Sequence, residues 1–400
     1  MGSLGIWAFG GLAIATIVAN ALFQARFRAS LAQAPRLQAE TEPAASLPTL
    51  SVIVPAYNEA INLRPCVKSV VQSELPDPAQ LQILVADDES TDDTAAIAQA
   101  LAAEDSRVLA FTVPPRPTEV PWQGKNWACA NAVEKATGDY LLFIDADVRL
   151  EPGAIAIALA DAQRTGADLL SCAPSIVCGC LTEWLVQPIV IAMIAVGFDF
   201  TPVNDPAQPD KAFAAGPFML FRRSAYDHIG GHRAVATTAL EDVTLARRIK
   251  AAGLRLRYIL AGNPIKVRMY QDFAALWEGW TKNFYLGANR QVGPTLFAAL
   301  VAKLVFALPG LLAIAGLVWV AAAPALDSAI AAGLGGLTLV QHLLFRFQMA
   351  RLLEVPPRYW WLGSMGGLLV AAIAVVSIIK VETGWGWTWR GRSLANSPRE

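Results

Sequence analysis

The chain has 400 residues, 54% of them hydrophobic and only 16% charged, with 32 Lys and Arg set against 33 Asp and Glu for a net charge of −1. That apolar excess is beyond an ordinary soluble composition, while near-zero charge without a basic run interleaved with aromatics excludes nucleic acid as an expected partner. Five cysteines (Cys66, Cys129, Cys172, Cys178, Cys180) with no CxxC pair, beside three histidines, exclude a disulfide framework, and Cys178-Gly179-Cys180 reads as small buried or interface residues rather than a soft-metal site.

Residues 4–23 are the first of four apolar stretches; 296–323, 329–345 and 361–379 follow, most of them near the ~20 residues that cross a hydrocarbon core. Arg26, Arg28 and Arg36 come after the first stretch, whereas a signal peptide carries its basic residues before it. An uncleaved anchor over 1–25 is therefore expected, and the positive-inside rule puts the chain beyond it in the cytoplasm. Four full crossings would then leave the basic tail at Arg390 and Arg392 outside. Either 329–345 is re-entrant or Pro309-Gly310 breaks the second stretch into a hairpin.

Residues 26–48 read as a linker rich in Ala and Pro over its second half, and from Thr49 strands and helices alternate. Strands are expected at 51–54, 81–86, 107–113 and 140–144, with helices at 62–73, 91–103 and 126–136. Thr91 or Asp92 is the expected cap of the second helix. Continuous apolar strands in this βαβα order imply an α/β fold with a mostly parallel sheet. The chain divides by this reading into an anchor at 1–25, a linker, a cytoplasmic domain at 49–290, membrane helices at 291–380 and a basic tail at 381–400. Residues 182–200, apolar but short and interrupted by Pro188, are expected to lie at the membrane surface rather than span it.

Three strands end in polar clusters: Pro55-Ala56-Tyr57-Asn58-Glu59, where Pro55 is expected to stop the strand, then Asp87-Asp88-Glu89-Ser90, then Asp145-Ala146-Asp147. Ligands of open parallel sheets sit outside the carboxyl ends of the strands, so these clusters should face one crevice. Asp145 and Asp147 could hold Mg²⁺ or Mn²⁺, which take carboxylate oxygens and fill the shell with water and phosphate; a solvated acidic turn is the plainer alternative. Asp87 or Asp88 can accept from a nucleobase edge, Tyr57 can cover the base, and Glu59 can accept from ribose hydroxyls. Lys125, at a helix start, suits a diphosphate. Glu241 and Asp242 are either first-turn acids stabilising a helix dipole or the source of a general base.

The stretches SVIVPAYNEA, LVADDESTDDT, GKNWACANAV, FIDADV and ALEDVTLARRIKAAG, in this order, resemble the family 2 inverting glycosyltransferases, over about residues 50–289. The resemblance implies a Rossmann-like GT-A domain binding a nucleotide-sugar donor. It implies Pro55, Tyr57, Glu59, Asp87, Asp88, Lys125 and Asp145 around the donor, Asp145 and Asp147 on the metal, and Asp242 as catalytic base. Gly216, in Ala215-Gly216-Pro217-Phe218, and Glu241 would lie on the acceptor side. Processive members carry a QxxRW motif; here Trp277-Glu278-Gly279-Trp280-Thr281-Lys282-Asn283 stands in its place, which favours transfer of one sugar over polymer synthesis, with Trp280 and Lys282 at the acceptor mouth. The arrangement is similar to hopanoid-associated and carotenoid- or lipid-modifying members, implying a lipid or carotenoid acceptor in the membrane. A sugar nucleotidyltransferase, the more distant alternative, would open its first strand on a Gly-rich, Arg-containing loop.

Overall fold

The computed structural model describes residues 3–37, 48–73, 75, 77 and 80–394. In chain order the elements are α1 (Ser3–Ala32), β1 (Leu50–Ala56), α2 (Leu63–Val71), β2 (Leu81–Asp87), α3 (Thr94–Glu104), β3 (Val108–Thr112), α4 (Gly124–Val133), β4 (Tyr140–Ile144), β5 (Val148–Leu150), α5 (Ala154–Thr165) and β6 (Leu169–Ile176). There follow α6 (Leu181–Gly197), α7 (Phe200–Asn204), β7 (Phe218–Arg222), α8 (Arg223–His228), α9 (Glu241–Ala251), β8 (Leu256–Val267), α10 (Phe273–Gly287), α11 (Val292–Val301), α12 (Leu308–Ala322), α13 (Leu326–Leu353) and α14 (Gly363–Thr383). They form two compact units: Met1–Ala32, Cys178–Asp199 and Tyr270–Ala395 make a mainly helical unit that ends in a small antiparallel pair at Thr388–Trp389 and Arg392–Ser393, and Gln33–Val177 with Phe200–Met269 makes an α/β unit.

The α/β unit is built on one eight-stranded sheet of order β3-β2-β1-β4-β7-β6-β8-β5. β1 pairs in parallel with β2 and β4, and β2 with β3, so three carboxyl ends lie side by side. β7 runs antiparallel between β4 and β6, and β5 antiparallel to β8. The four apolar strand runs fold as their composition dictates: all five residues of β4 are buried, and Val52, Val54, Ile83, Val85 and Leu142 join the core with Leu63, Val67 and Val70 of α2. Pro55 does not stop the first strand. It pairs with Ala86 inside β1, and is accommodated because β4 accompanies β1 only as far as Ile53, leaving a neighbour on one side where a missing N–H can be tolerated. α3 starts at Thr94 rather than 91, so neither Thr91 nor Asp92 is its cap: Asp93 holds that position without a side-chain cap bond, and Asp92 Oδ1, one residue earlier, accepts from Thr94 N at 3.0 Å.

Buried side chains fix the far half of this sheet. Phe200 of α7 stacks on Tyr258 of β8 with centroids 4.6 Å apart, while Asn204 and Tyr258 exchange two 2.8 Å hydrogen bonds. Lys250, near the end of α9, donates to the carbonyls of Pro202, Val203, Asp205 and Lys211 at 2.6–3.2 Å. Cys66, Cys129 and Cys172 are buried free thiols, and burial pushes all three well above the ordinary thiol range.

Four helical segments of the other unit are long and apolar enough to cross a membrane: Gly5–Ala32, Val292–Ala322, Leu326–Leu353 and Trp360–Thr383. The first continues through Arg26 and Arg28 to Ala32, beyond the anchor boundary expected at residue 25, and residues 38–47 of the expected linker lie outside the described residues. Pro309-Gly310 makes no hairpin: α11 passes through a π-helical turn at Ala302–Ala307 into α12, where Pro309 sits in the first turn and needs no intrahelical N–H partner. Nor is 329–345 short, since α13 has 28 residues. α12 and α13 pack closely through glycine: a Cβ on Gly316 would meet Ala332 Cα at 2.7 Å, and one on Gly335 would meet Ala313 Cα at 2.9 Å. α6 has 17 residues and runs through Pro188 without breaking.

α10 and the chain end meet within this unit. Thr388 Oγ1 donates to Glu278 Oε1 at 2.6 Å and the Arg390 N–H to Glu278 Oε2 at 3.1 Å, while Lys282 Nζ sits 4.5 Å from the Trp389 ring centre. α14 lies against the same helix: Tyr285 N donates to Ser377 Oγ at 2.9 Å and Lys380 Nζ to Thr281 Oγ1 at 3.2 Å.

Candidate active site

Parallel pairing brings the ends of β2, β1 and β4 together, with their polar clusters on one edge of the sheet. On the β1–β2 side the two turns interlock: Asn58 N donates to Ser90 Oγ at 2.9 Å, Thr91 N to Asn58 Oδ1 at 2.8 Å, and Glu59 N to Thr94 Oγ1 at 2.7 Å. Asn58 and Glu89 take left-handed backbone conformations, φ +53° and +58°, at which Asn is among the more tolerant side chains and Glu is not. Tyr57 is half-buried beside them. Glu59 accepts from Asn62 Nδ2 at 2.9 Å. Asp87 and Asp88 are each 3% exposed. Asp87 Oδ2 receives Ser90 N at 3.3 Å, but its Oδ1 is buried with no hydrogen-bond partner among the described residues.

On the β4 side, Ile144 pairs with Phe218 of the antiparallel β7, which sets the turn Ala215-Gly216-Pro217 next to Asp145. That turn is clamped by Ser171 of β6, whose Oγ accepts from Ala215 N at 2.8 Å and donates to Ala215 O at 3.2 Å. Gly216 N then donates to Asp242 Oδ2 at 2.9 Å, while Asp242 Oδ1 receives its neighbour Val243 N at 2.8 Å. A Cβ on Gly216 would stand 3.0 Å from Asp242 Oδ2 and 3.3 Å from Lys125 Nζ, so glycine serves the close packing of these two charged groups. Lys125, at the start of α4, bridges Asp145 Oδ1 and Glu241 Oε1, both at 2.7 Å.

The electrostatics follow from this packing. Burial pushes the Asp242 carboxyl up to about 6, the Glu241 carboxylate adds to the rise, and Lys125 with two backbone N–H groups opposes it. Burial works against the charge of Lys125, but the Asp145 and Glu241 carboxylates outweigh it and hold the ammonium well above its usual range. Below them His232, 1% exposed, pairs Nδ1 with Tyr226 OH at 2.8 Å. Burial, then Lys125, depresses it to about 3 and keeps it neutral.

Asp145, Asp147, Lys125, Gly216, Glu241 and Asp242 are thus all residues of the α/β unit, and the distances above join all of them but Asp147 directly. Asp147 stands two residues from Asp145, across the buried Ala146, its carbonyl receiving Arg268 N at 3.3 Å. Among the described residues no three His, Cys, Asp or Glu side chains gather into a ready metal cage. Two carboxylates suit a hard cation that completes its shell with phosphate oxygens and water, so this donor set fits Mg²⁺ or Mn²⁺. Trp280 and Lys282 belong to the mainly helical unit, where Trp280 Nε1 donates to Gln187 Oε1 at 2.9 Å. Ser171 and His232, which belong to none of the sequence motifs, also serve the site, as does Asn126. The last is fully buried in α4, and its Nδ2 donates to Val235 O at 2.6 Å and Thr238 O at 2.9 Å, fixing the loop that leads to Glu241. A lone serine in an apolar strand gives no signal of such a role.

Residues 51–230 match the model of glycosyl transferase family 2. A 4,4'-diaponeurosporenoate glycosyltransferase of Staphylococcus aureus (strain USA300) is 30% identical over 257 residues, covering 63% of this chain and 64% of the relative. The same named protein of strains NCTC 8325 and Newman matches equally. The match therefore spans just under two thirds of the length of these curated relatives. Among solved structures, a mannosyltransferase from Pyrobaculum calidifontis in complex with GDP-Man and Mn²⁺ superposes with a TM-score of 0.54 over 94% of this chain and 98% of that one, at 18% identity, a likeness of fold.

Proposed function

We propose that this chain, a glycosyltransferase of family 2 through the domain at residues 51–230, transfers one sugar from a nucleotide-sugar donor to a lipid-like, carotenoid-type acceptor with inversion at the anomeric carbon. The observation that carries the reading is Asp242, a half-buried carboxylate with a pKa raised to about 6, held by Gly216 N–H beside the charged trio of Lys125, Asp145 and Glu241. A carboxylate so placed takes a proton at neutral pH more readily than an ordinary one. The Asp87 Oδ1 atom, buried without a donor, supports a nucleobase edge at the end of β2, with Tyr57 and Glu59 toward the nucleoside.

In this reading Asp242 accepts the proton of the acceptor hydroxyl as its oxygen attacks the anomeric carbon opposite the leaving diphosphate. Lys125 keeps Asp145 and Glu241 in place, and the N-terminal turn of α4 faces the phosphates. Asp145 and Asp147 would hold a divalent cation, which when bound offsets charge growing on the diphosphate. The catalytic domain faces the cytoplasm by the position of Arg26 and Arg28, and Trp280 and Lys282 stay as proposed acceptor-side residues.

The named activity of the Staphylococcus aureus relative suggests a second form of the acceptor, a carboxylate, which brings no proton to remove. The test separates the two. Purified protein is incubated with Mg²⁺ or Mn²⁺, a panel of nucleotide sugars, and hydroxylated or carboxylated carotenoids, and products are identified by mass spectrometry. Asp242→Asn should abolish transfer to a hydroxyl and spare transfer to a carboxylate. Full activity of Asp242→Asn on a hydroxyl acceptor would refute the base role.

A further inference from the structure

α13 carries two kinds of polar residue, one half-buried and one buried. Gln341 and Gln348, two turns apart, face α1: Gln341 Nε2 donates to Ile17 O at 3.2 Å, and Gln348 Nε2 to Gln24 Oε1 at 3.3 Å. Gln24 reaches Asn20 Oδ1 at 3.2 Å, and Asn20 Nδ2 reaches Val305 O at 2.8 Å. These neutral amides join helices to one another, as polar side chains between apolar helices generally do.

His342 and Arg346, one turn apart on the adjoining face, differ. His342 is 2% exposed and Arg346 4%. The Nε of Arg346 is buried without a hydrogen-bond partner among the described residues, while the His342 ring lies against the backbone of Trp360 and Val305. None of the ion pairs among the described residues includes Arg346, and the titratable groups on which its charge acts are the His342 ring and the Cys178 thiol, neither an anion. A buried guanidinium without a counter-charge is costly, and buried charges are as a rule paired. The imidazole is closed in by the Phe306 ring, with centroids 6.2 Å apart, and by Gly363, on which a Cβ would overlap it. Ser364 Oγ, next in the chain, is also buried and unpartnered.

We propose that Arg346 and His342 form a binding site for one anionic oxygen group, a carboxylate or phosphate, carried on an apolar chain. The guanidinium fork matches such a group with two N–H donors and supplies the charge, and the His342 ring lines the site one turn away. The apolar chain is argued from the setting, because both residues lie on α13, a helix long and apolar enough to cross a membrane, where lipid-borne groups are the ones at hand. This site is independent of the transfer chemistry proposed above.

The test titrates the full chain, in neutral detergent, with dodecyl phosphate, dodecanoate and inorganic phosphate, reading bound species by native mass spectrometry. At least one amphiphile should bind, with inorganic phosphate at least tenfold weaker. Arg346→Gln should weaken the amphiphile at least tenfold, Arg346→Lys should retain part of the affinity, and His342→Gln should lose less than Arg346→Gln. Inorganic phosphate binding as tightly as dodecyl phosphate would overturn the apolar chain. Wild-type affinity in Arg346→Gln would overturn the site. Should Arg346→Gln fail to fold, unchanged affinity in both Arg346→Lys and His342→Gln would do the same.

Discussion

Asp242 and His232 show how environment rather than residue type decides which group titrates near neutrality. Histidine is the usual suspect between pH 5 and 8, yet His232 is held near 3 and Asp242 is raised to about 6. Since the base form of Asp242 grows as pH rises through about 6, kcat/KM on a hydroxyl acceptor should rise over the same range and level off above it. His232→Gln should keep that limb in a pH–rate profile, whereas Asp242→Asn should remove it with the activity. The same raised carboxyl favours the folded chain most below its ordinary pKa of 3.8, and that contribution is lost as pH rises through about 6. Gly216→Ala should lower kcat at least tenfold with little change in melting temperature, because the added methyl meets Asp242 Oδ2 and Lys125 Nζ at 3.0 and 3.3 Å, where few atoms sit comfortably.

At the scale of elements, the functional groups are placed by loops that buried polar side chains hold. Asn126→Ala leaves the Val235 and Thr238 carbonyls without their donor, and should cost about 1–3 kcal/mol in denaturant unfolding. Lys250→Met removes the ammonium from four carbonyls of the 202–211 segment and should raise proteolytic nicking there. The strands were readable beforehand because unbroken apolar runs leave few choices: β4 falls at 140–144 as expected. So were the three clusters, since strand ends in a parallel sheet share an edge. Pro55 misled because its effect depends on how far the neighbouring strand extends, which is a tertiary matter. Ser171 was invisible for a related reason, its partner Ala215 lying 44 residues away. The ion pairs of Lys125 with Asp145 and Glu241 were likewise beyond any local pattern, although each residue was singled out.

For the whole molecule, the contact of Thr388 and Arg390 with Glu278 settles an arithmetic question. If α10 and the chain end touch, they share a side of the bilayer, so the polypeptide between them crosses an even number of times. Three long apolar helical segments lie in that interval. α13 runs back along α12, with Thr338 Oγ1 bonded to Pro309 O at 3.1 Å, while α14 starts beside Gly310, through Ser364, and descends to Thr281 and Tyr285. It therefore begins at the middle of the α11–α12 rod and never reaches the end where Trp319 meets Phe9. A cysteine introduced for Ala323 and one for Thr383 should then react with an impermeant maleimide from opposite faces of sealed vesicles; labelling from one face would refute it. On this path the basic tail comes back to the side that α10 occupies, and α14, although long enough to cross, is the segment that an even count asks to enter and leave by one face.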